Sequence, residues 1–97
     1  MEQNNLSPGG NYSGQDFSGR DFSGLDLNRI DLRGAKLHKT KFNNAELSQA
    51  NLERATLTEA DFTGANLSKI SLRRANLTRA VLANANLEGA QLGAARF

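Results

Sequence analysis

An apolar residue recurs at every fifth position of this 97-residue chain, from Tyr12 to Phe97, without one insertion. These eighteen positions hold twelve Leu, five Phe and one Tyr, and eleven of the eighteen positions two residues earlier hold Ala. The unit is clearest in residues 65–69, which read Ala-Asn-Leu-Ser-Lys. An internal repeat that fills most of a chain constrains the fold more strongly than composition does.

A period of five is incompatible with both regular secondary structures. An α-helix turns about 100° per residue, so a residue at every fifth place would not form a buried stripe. Side chains of a flat strand alternate with period two, so successive Leu residues would point to opposite faces. A short extended segment followed by a corner, repeated once per pentad, directs every Leu and Ala toward one axis. The period therefore predicts a solenoid whose stacked coils share one core.

The spacing of the Phe residues predicts the number of corners per turn. Phe22, Phe42 and Phe62 are twenty residues apart, and Phe17 and Phe97 are eighty apart. With four pentads per turn the five Phe residues fall into two columns, whereas three pentads per turn scatter them over three. The spacing favours a square coil of twenty residues.

Residues 50–54 (Ala-Asn-Leu-Glu-Arg) and 60–64 (Ala-Asp-Phe-Thr-Gly) follow the pattern A(D/N)LXX, which resembles the pentapeptide-repeat family over about nine-tenths of the chain. The resemblance implies an all-β fold, a right-handed quadrilateral parallel β-helix, here of about four coils. It also implies a cyanobacterial-type protein, since the family is abundant in cyanobacteria. Some bacterial members resemble B-form DNA in shape and charge and inhibit DNA gyrase.

The register divides the chain into a flexible N-terminal arm or partial cap at residues 1–11 and a β-helix at residues 12–97. We expect Leu6 to cover the open end of the first coil, where polar Gln15 and Arg20 replace the inward Ala. Gly recurs at the last place of the pentads, which predicts positive φ at each corner. Ser, Thr and Asn directly after each Leu are expected to bond the backbone at these turns.

Composition excludes several classes of site. The chain has no Cys, hence no disulfide and no thiolate site. Residues 1–11 lack the basic and apolar regions of a signal peptide, and no segment holds the roughly twenty apolar residues of a membrane helix, so we predict a cytoplasmic protein without membrane association. The formal charge of +2 is close to balance.

No residue pattern predicts catalysis. His38 is the single His, and it lies at an outward place between Leu37 and Lys39 with no nucleophile or orienting group at motif spacing. The aspartates at positions 16, 21, 26 and 31 would project from four different sides of a coil and could not converge on a metal. We therefore predict no catalytic residue, no metal site and no cofactor.

Basic residues concentrate along one corner edge of the predicted prism. This candidate interaction surface comprises Arg33, Lys36, Arg54, Arg73 and Arg74, and His38, Lys39, Lys41 and Arg79 line the next edge. Such a stripe suits an acidic partner or phosphate. It lacks interleaved aromatic residues for stacking on bases, so nucleic acid is the weaker interpretation.

The last pentads place large apolar residues at the C-terminal end of the solenoid. We expect two copies to meet there as a homodimer, through a candidate end-to-end interface of Leu82, Leu87, Leu92 and Phe97. Members of the resembling family dimerise through their C-terminal ends, commonly with an added helix. The predicted function is a non-enzymatic scaffold for protein–protein interaction with an unidentified protein partner. The alternative is a DNA mimic that inhibits DNA gyrase, which the absence of an acidic face disfavours.

Overall fold

The computed structural model describes residues 6–97, which wind into a four-sided rod of 35 × 22 × 20 Å. Residues 1–5 of the predicted arm lie outside this described part. Each pentad forms one side of a coil, and the residue before each Leu place makes a parallel bridge to the residue twenty positions later, as Lys36 does to Thr56. These single-residue bridges run from Asn11–Asp31 to Asn76–Arg96, and residues 6–97 contain no longer strand and no helix. The predicted twenty-residue coil is confirmed.

The pentad 65–69 shows how the backbone is satisfied. Two amides reach the coil above: Leu67 donates to the carbonyl of Asn86 at 2.7 Å and Lys69 to that of Glu88 at 2.8 Å. One amide, of Asn66, donates to the coil below at 2.9 Å, and the amide of Ala65 closes the preceding turn at 2.9 Å. Four of the five N–H groups therefore bond to other backbone groups, and buried backbone needs such partners.

The fifth amide is satisfied by the Asn or Asp side chain before the Leu place. In residues 65–69 the N–H of Ser68 donates to Oδ1 of Asn66 at 3.1 Å. This Asx turn explains why the repeat needs Asn or Asp. Of the residues directly after a Leu place, Asn28 bonds the backbone, accepting from the amide of Ser48 in the adjacent coil at 2.9 Å. Ten pentads make the Asx turn, with acceptors on Asn11, Asp16, Asp21, Asp26, Asp31, Asn51, Asp61, Asn66, Asn76 and Asn86.

Replacing one of these acceptors should destabilise the coil by about 1 kcal/mol, the usual cost of losing a side chain that caps a backbone amide. Asn76→Ala removes the acceptor for both the amide and the hydroxyl of Thr78. Thr56→Ala is the matched control, because Thr56 lies one coil below in the same column and makes no such bond to the amide two residues on. Urea unfolding monitored by circular dichroism measures both. Equal midpoints for the two variants would contradict the proposed role of the Asx turn.

Every corner uses the same turn. The carbonyl at the Leu place accepts a bond from the amide three residues later, as Phe42 does from Ala45 at 3.0 Å. The third residue of each turn has φ between 57° and 76°, from Gly9 to Ala94. The predicted positive φ is confirmed, and eleven of these residues are not Gly. Each of those eleven carries the steric cost of a left-handed conformation.

The core is the column of stacked Leu-place and Ala-place side chains. Every Leu-place residue from Phe17 to Leu77 is buried. Phe22, Phe42 and Phe62 lie in one column: the rings of Phe42 and Phe62 are stacked with centroids 4.9 Å apart, and the ring of Phe22 is tilted against that of Phe42 at 5.9 Å. Thr40 replaces Ala in one buried inward position, and its hydroxyl donates to the carbonyl of Phe17 at 3.1 Å, so its polar atom is satisfied.

The first coil is covered by side chains rather than by another coil. Leu6 is half-buried and packs against the core. The backbone amide of Ser7 donates to the hydroxyl of Tyr12 at 2.9 Å, and the guanidinium of Arg20 lies 5.7 Å from the ring centroid of Phe17. The first turn, closed by the bond from the amide of Gly10 to the carbonyl of Ser7 at 3.0 Å, extends the coil geometry to residues 7–10.

Candidate interaction surfaces

The twenty-residue register places the five residues of the candidate basic surface close together. All five of its side chains are exposed, and they lie on one corner edge and the two sides that meet there. Arg54 and Arg74 occupy the corner itself, one coil apart, with φ of 60° and 61°. The amide of Arg54 donates to the carbonyl of Arg73 at 2.9 Å, so these arginines belong to directly adjacent coils.

The lower part of this edge is neutralised by acidic neighbours. Arg33 donates two bonds to Asp31, from Nε at 2.9 Å and from Nη2 at 2.7 Å. Lys36 lies above Asp16 in the same column; hydrogen bonds from Ser18 lower the pKa of that carboxyl most, and the charge of Lys36 adds to them. Arg33 is thus ion-paired within the rod, which sequence spacing did not reveal, whereas Lys36 makes no ion pair within the described part of the chain.

The upper part of the edge remains cationic. No ion pair within residues 6–97 involves Arg54, Arg73 or Arg74. Arg96 joins them, because it is bridged to Asn76 and so lies beside Arg74 at the top of the edge. Arg96 was not among the cations predicted for this edge, although the twenty-residue register is sufficient to place it there. The acidic residue of this part is Glu53, which accepts a bond from the hydroxyl of Ser71 at 3.0 Å.

An open hollow of about 320 Å³ lies at the lower boundary of the arginines, lined by Ser13, Arg33, Gly34, Glu53 and Arg54. Its lining includes both cationic and anionic side chains, so the hollow is not selective for an anion. The part of the edge that is purely cationic lies above the hollow.

The neighbouring edge is also partly neutralised. Arg79 lies 3.9 Å from Glu59, one coil below. Nδ1 of His38 is 2.6 Å from the hydroxyl of Thr58, which is the stacked partner that the register predicts. Among the described residues no group of three or more His, Cys, Asp or Glu residues is arranged to hold a metal ion. No helix within residues 6–97 has the length and apolarity to cross a membrane.

Four aspartates have pKa values below the ordinary value. For Asp31 the first cause is the bond from Arg33. For the others it is a hydrogen bond from the Ser or Thr two residues later, and a Lys in the neighbouring coil adds attraction. The four are Asp16, Asp21, Asp31 and Asp61.

These lowered pKa values predict a loss of stability in acid. Between the folded and unfolded pKa values the unfolded chain binds more protons, so stability rises with pH. The contribution is fully present above the unfolded value near 3.8 and is lost as pH falls through the folded values. Asp16→Asn with Asp21→Asn keeps both Asx acceptors and removes both ionisations, so this variant should lose less stability than the parent chain between about pH 5 and pH 3. Urea unfolding across that range measures it, and identical slopes for parent and variant would refute the expectation.

The predicted end-to-end residues lie together at the C-terminal end of the described rod. Leu82 and Leu87 are half-buried, whereas Leu92 and Phe97 are exposed, at 39% and 63%. Val81, at 44%, adds to this apolar end. The structure brings the four predicted residues to one surface, and their role as an interface stays a prediction.

The family model of the pentapeptide repeat region matches residues 11–82. No curated protein sequence matches the chain. A pentapeptide repeat protein from the thylakoid lumen of Arabidopsis thaliana is 33% identical, with a TM-score of 0.51 over 92% of this chain and 66% of that one. HetL of Nostoc sp. strain PCC 7120, a pentapeptide repeat protein involved in heterocyst differentiation regulation, is 25% identical, with a TM-score of 0.56 over 89% of this chain and 52% of HetL.

The chain thus spans 66% of the length of the plant protein and about half of HetL. QnrB1, a plasmid-mediated fluoroquinolone resistance protein, is 20% identical with a TM-score of 0.33, a likeness too low to bear on function. The solved relatives are right-handed quadrilateral β-helices, and this fold class is confirmed for the chain.

Proposed function

Because the chain belongs to the pentapeptide repeat family, whose members are generally non-catalytic scaffolds with varied roles, we propose that it is a rigid module that binds a protein partner and catalyses no reaction. One observation carries this proposal: the coil register continues unbroken through residues 12–97 and leaves the fourth and fifth places of each pentad free to vary on the surface. Such a rod holds outward side chains at fixed spacing, which is what a preorganised binding surface requires.

The environment of His38 supports the non-enzymatic part of the proposal. Its imidazole bonds to Thr58. A general base also needs an orienting carboxylate, and the outward places beside it carry Ser18 below, Thr58 above and Lys39 next in the chain, none of which is a carboxylate. We therefore assign the pair to packing between coils.

DNA mimicry directed at gyrase is the weaker function. A mimic needs an acidic face, and the acidic residues here alternate with cations in the bridged columns, such as Asp21–Lys41–Asp61. The sequence pI of about 9.4 also opposes it. A supercoiling assay with purified gyrase should show no inhibition at equimolar protein, and inhibition there would favour mimicry over our proposal.

Site-specific crosslinking tests the proposed scaffold. Two variants each carry one photoreactive residue. In the first it replaces Arg73, and in the second it replaces Asn86 on another side of the rod. Each variant is irradiated in an extract of the source cell. We expect one protein to be captured in strong excess from one position and not from the other. Equal capture of abundant proteins from both positions would contradict a specific binding side.

We also propose self-association through the apolar C-terminal end in a cytoplasmic location. The exposed Leu92 and Phe97 support a contact between two copies. The proposed cytoplasmic location rests on the sequence alone, because the plant relative has the same fold but comes from the thylakoid lumen. Light scattering at tens of micromolar should give a dimer mass that Phe97→Glu reduces to that of a monomer. A monomer mass for both proteins would contradict the contact.

A further inference from the structure

We infer that the arginine corner, defined as Arg54, Arg73, Arg74 and Arg96, is the binding surface for an acidic helical segment of a protein partner. This inference rests on the proposed scaffold function and identifies the surface and the chemistry of its partner. All four side chains are exposed, and none makes an ion pair within residues 6–97. Arg33 is not part of the arginine corner, because its guanidinium already donates two hydrogen bonds to the carboxylate of Asp31.

The arginine corner opposes the stability of the coil that carries it. Positions 14 and 34 on the same edge are Gly, with φ of 73° and 66°, whereas the next two coils place Arg54 and Arg74 at φ of 60° and 61°. A residue with a Cβ is disfavoured in this left-handed region. The two coils lie about 4.8 Å apart, so like charges are also stacked on one edge. Nine other non-Gly corner residues share this φ, so the feature that distinguishes the corner is the pair of like charges stacked in adjacent coils without an ion pair within residues 6–97.

The geometry of the corner favours carboxylates on one helix face. An arginine guanidinium can donate two parallel hydrogen bonds to the two oxygens of one carboxylate. Acidic residues at i and i+4 of a helix lie about 5–6 Å apart, close to the spacing of about 4.8 Å between coils. A partner helix laid along the edge therefore meets one arginine per turn.

The cationic surface of the corner is small for duplex DNA. Glu53 lies beside Arg54 on one side, and on the next edge Glu59 pairs with Arg79 at 3.9 Å. The unpaired cations of the corner are therefore confined to four arginines in three adjacent coils, a row that one acidic helix can cover, whereas a duplex presents phosphates along both of its strands. Within residues 6–97 the single exposed aromatic residue is Phe97, next to Arg96, so the corner lacks the succession of aromatic side chains on which bases stack.

The test uses a variant that separates binding from folding. Arg54→Gly with Arg74→Gly removes two charges and relieves two strained φ angles. The matched control is Arg29→Gly with Lys69→Gly, which removes the same charge at φ of 60° and 57° on another edge. Both variants should melt above the parent chain, by on the order of 5 °C. The probe is a fluorescent fifteen-residue alanine-based helix with Glu at every fourth position, titrated at about 50 mM salt.

We expect the corner variant to bind the Glu peptide about tenfold more weakly than the parent, and the control variant to bind it as the parent does. Equal weakening in both variants would show attraction to net charge alone and overturn the inference, as would an absence of binding by the parent. Tighter binding of a twelve-base-pair duplex than of the peptide by the parent would also overturn it. If the peptide test fails in one of these ways but the crosslinking experiment still captures one protein from one side, the inference about the arginine corner is wrong and the proposed scaffold function is retained.

Discussion

Phe42→Ala should lower the free energy of unfolding by about 3–5 kcal/mol, the usual cost of truncating a buried Phe. Phe42 is fully buried and lies between Phe22 and Phe62. Removing its ring leaves a cavity between coils whose spacing is held by backbone bonds, such as that from Phe42 to Asp61 at 2.8 Å. The neighbours therefore relax little, and the cost should lie in the upper part of this range.

Urea unfolding monitored by far-ultraviolet circular dichroism measures this effect. Phe97→Ala is the matched control, because Phe97 has the same place in the pentad but is 63% exposed. We expect the control to cost less than about 1 kcal/mol. A similar cost for both variants would mean that the Phe column is not the centre of the core.

Ala65→Leu should destabilise the protein by about 1–3 kcal/mol through overpacking. Ala65 is 1% exposed at an inward place, and its coil is bonded to both neighbours through Asn66 and Leu67. Added methylenes have no space unless the coils separate, and separation would lengthen those bonds.

The control for this substitution is Ala83→Leu, the same chemical change at an exposed outward place. Its midpoint of thermal unfolding should stay within about 2 °C of the parent value. Should Ala83→Leu destabilise the protein as much as Ala65→Leu, the assignment of inward and outward places would be wrong.

The coil could be predicted from the sequence because each pentad place has one structural role. The Leu and Ala places face the axis, the last place forms the corner, and the spacing of Phe22, Phe42 and Phe62 sets four corners per turn. These assignments depend on the five-residue period and on the geometry of one pentad, and both can be read from residues that are close in the sequence.

Contacts of long side chains could not be predicted in the same way. Arg33 is at an outward place, and only the structure shows it turning back to Asp31. The role of Asn66 in binding the amide of Ser68 also depends on local backbone direction, which the period does not give. The basic edge predicted from the sequence therefore comprised five cations, whereas the structure pairs Arg33 with Asp31 and adds Arg96 to the upper part.

The register of twenty residues per coil places every surface described above, and disulfide formation tests it most directly. The chain has no Cys, so two substitutions report on one pair alone. Lys36→Cys with Thr56→Cys joins bridged residues of adjacent coils, whose Cα separation of about 4.8 Å suits a disulfide. Lys41→Cys with Thr56→Cys removes the same charge but joins residues three pentads apart. After mild oxidation, mass spectrometry should show an intramolecular disulfide in the first variant and free thiols in the second. Ready closure of the second pair with failure of the first would contradict the four-sided coil.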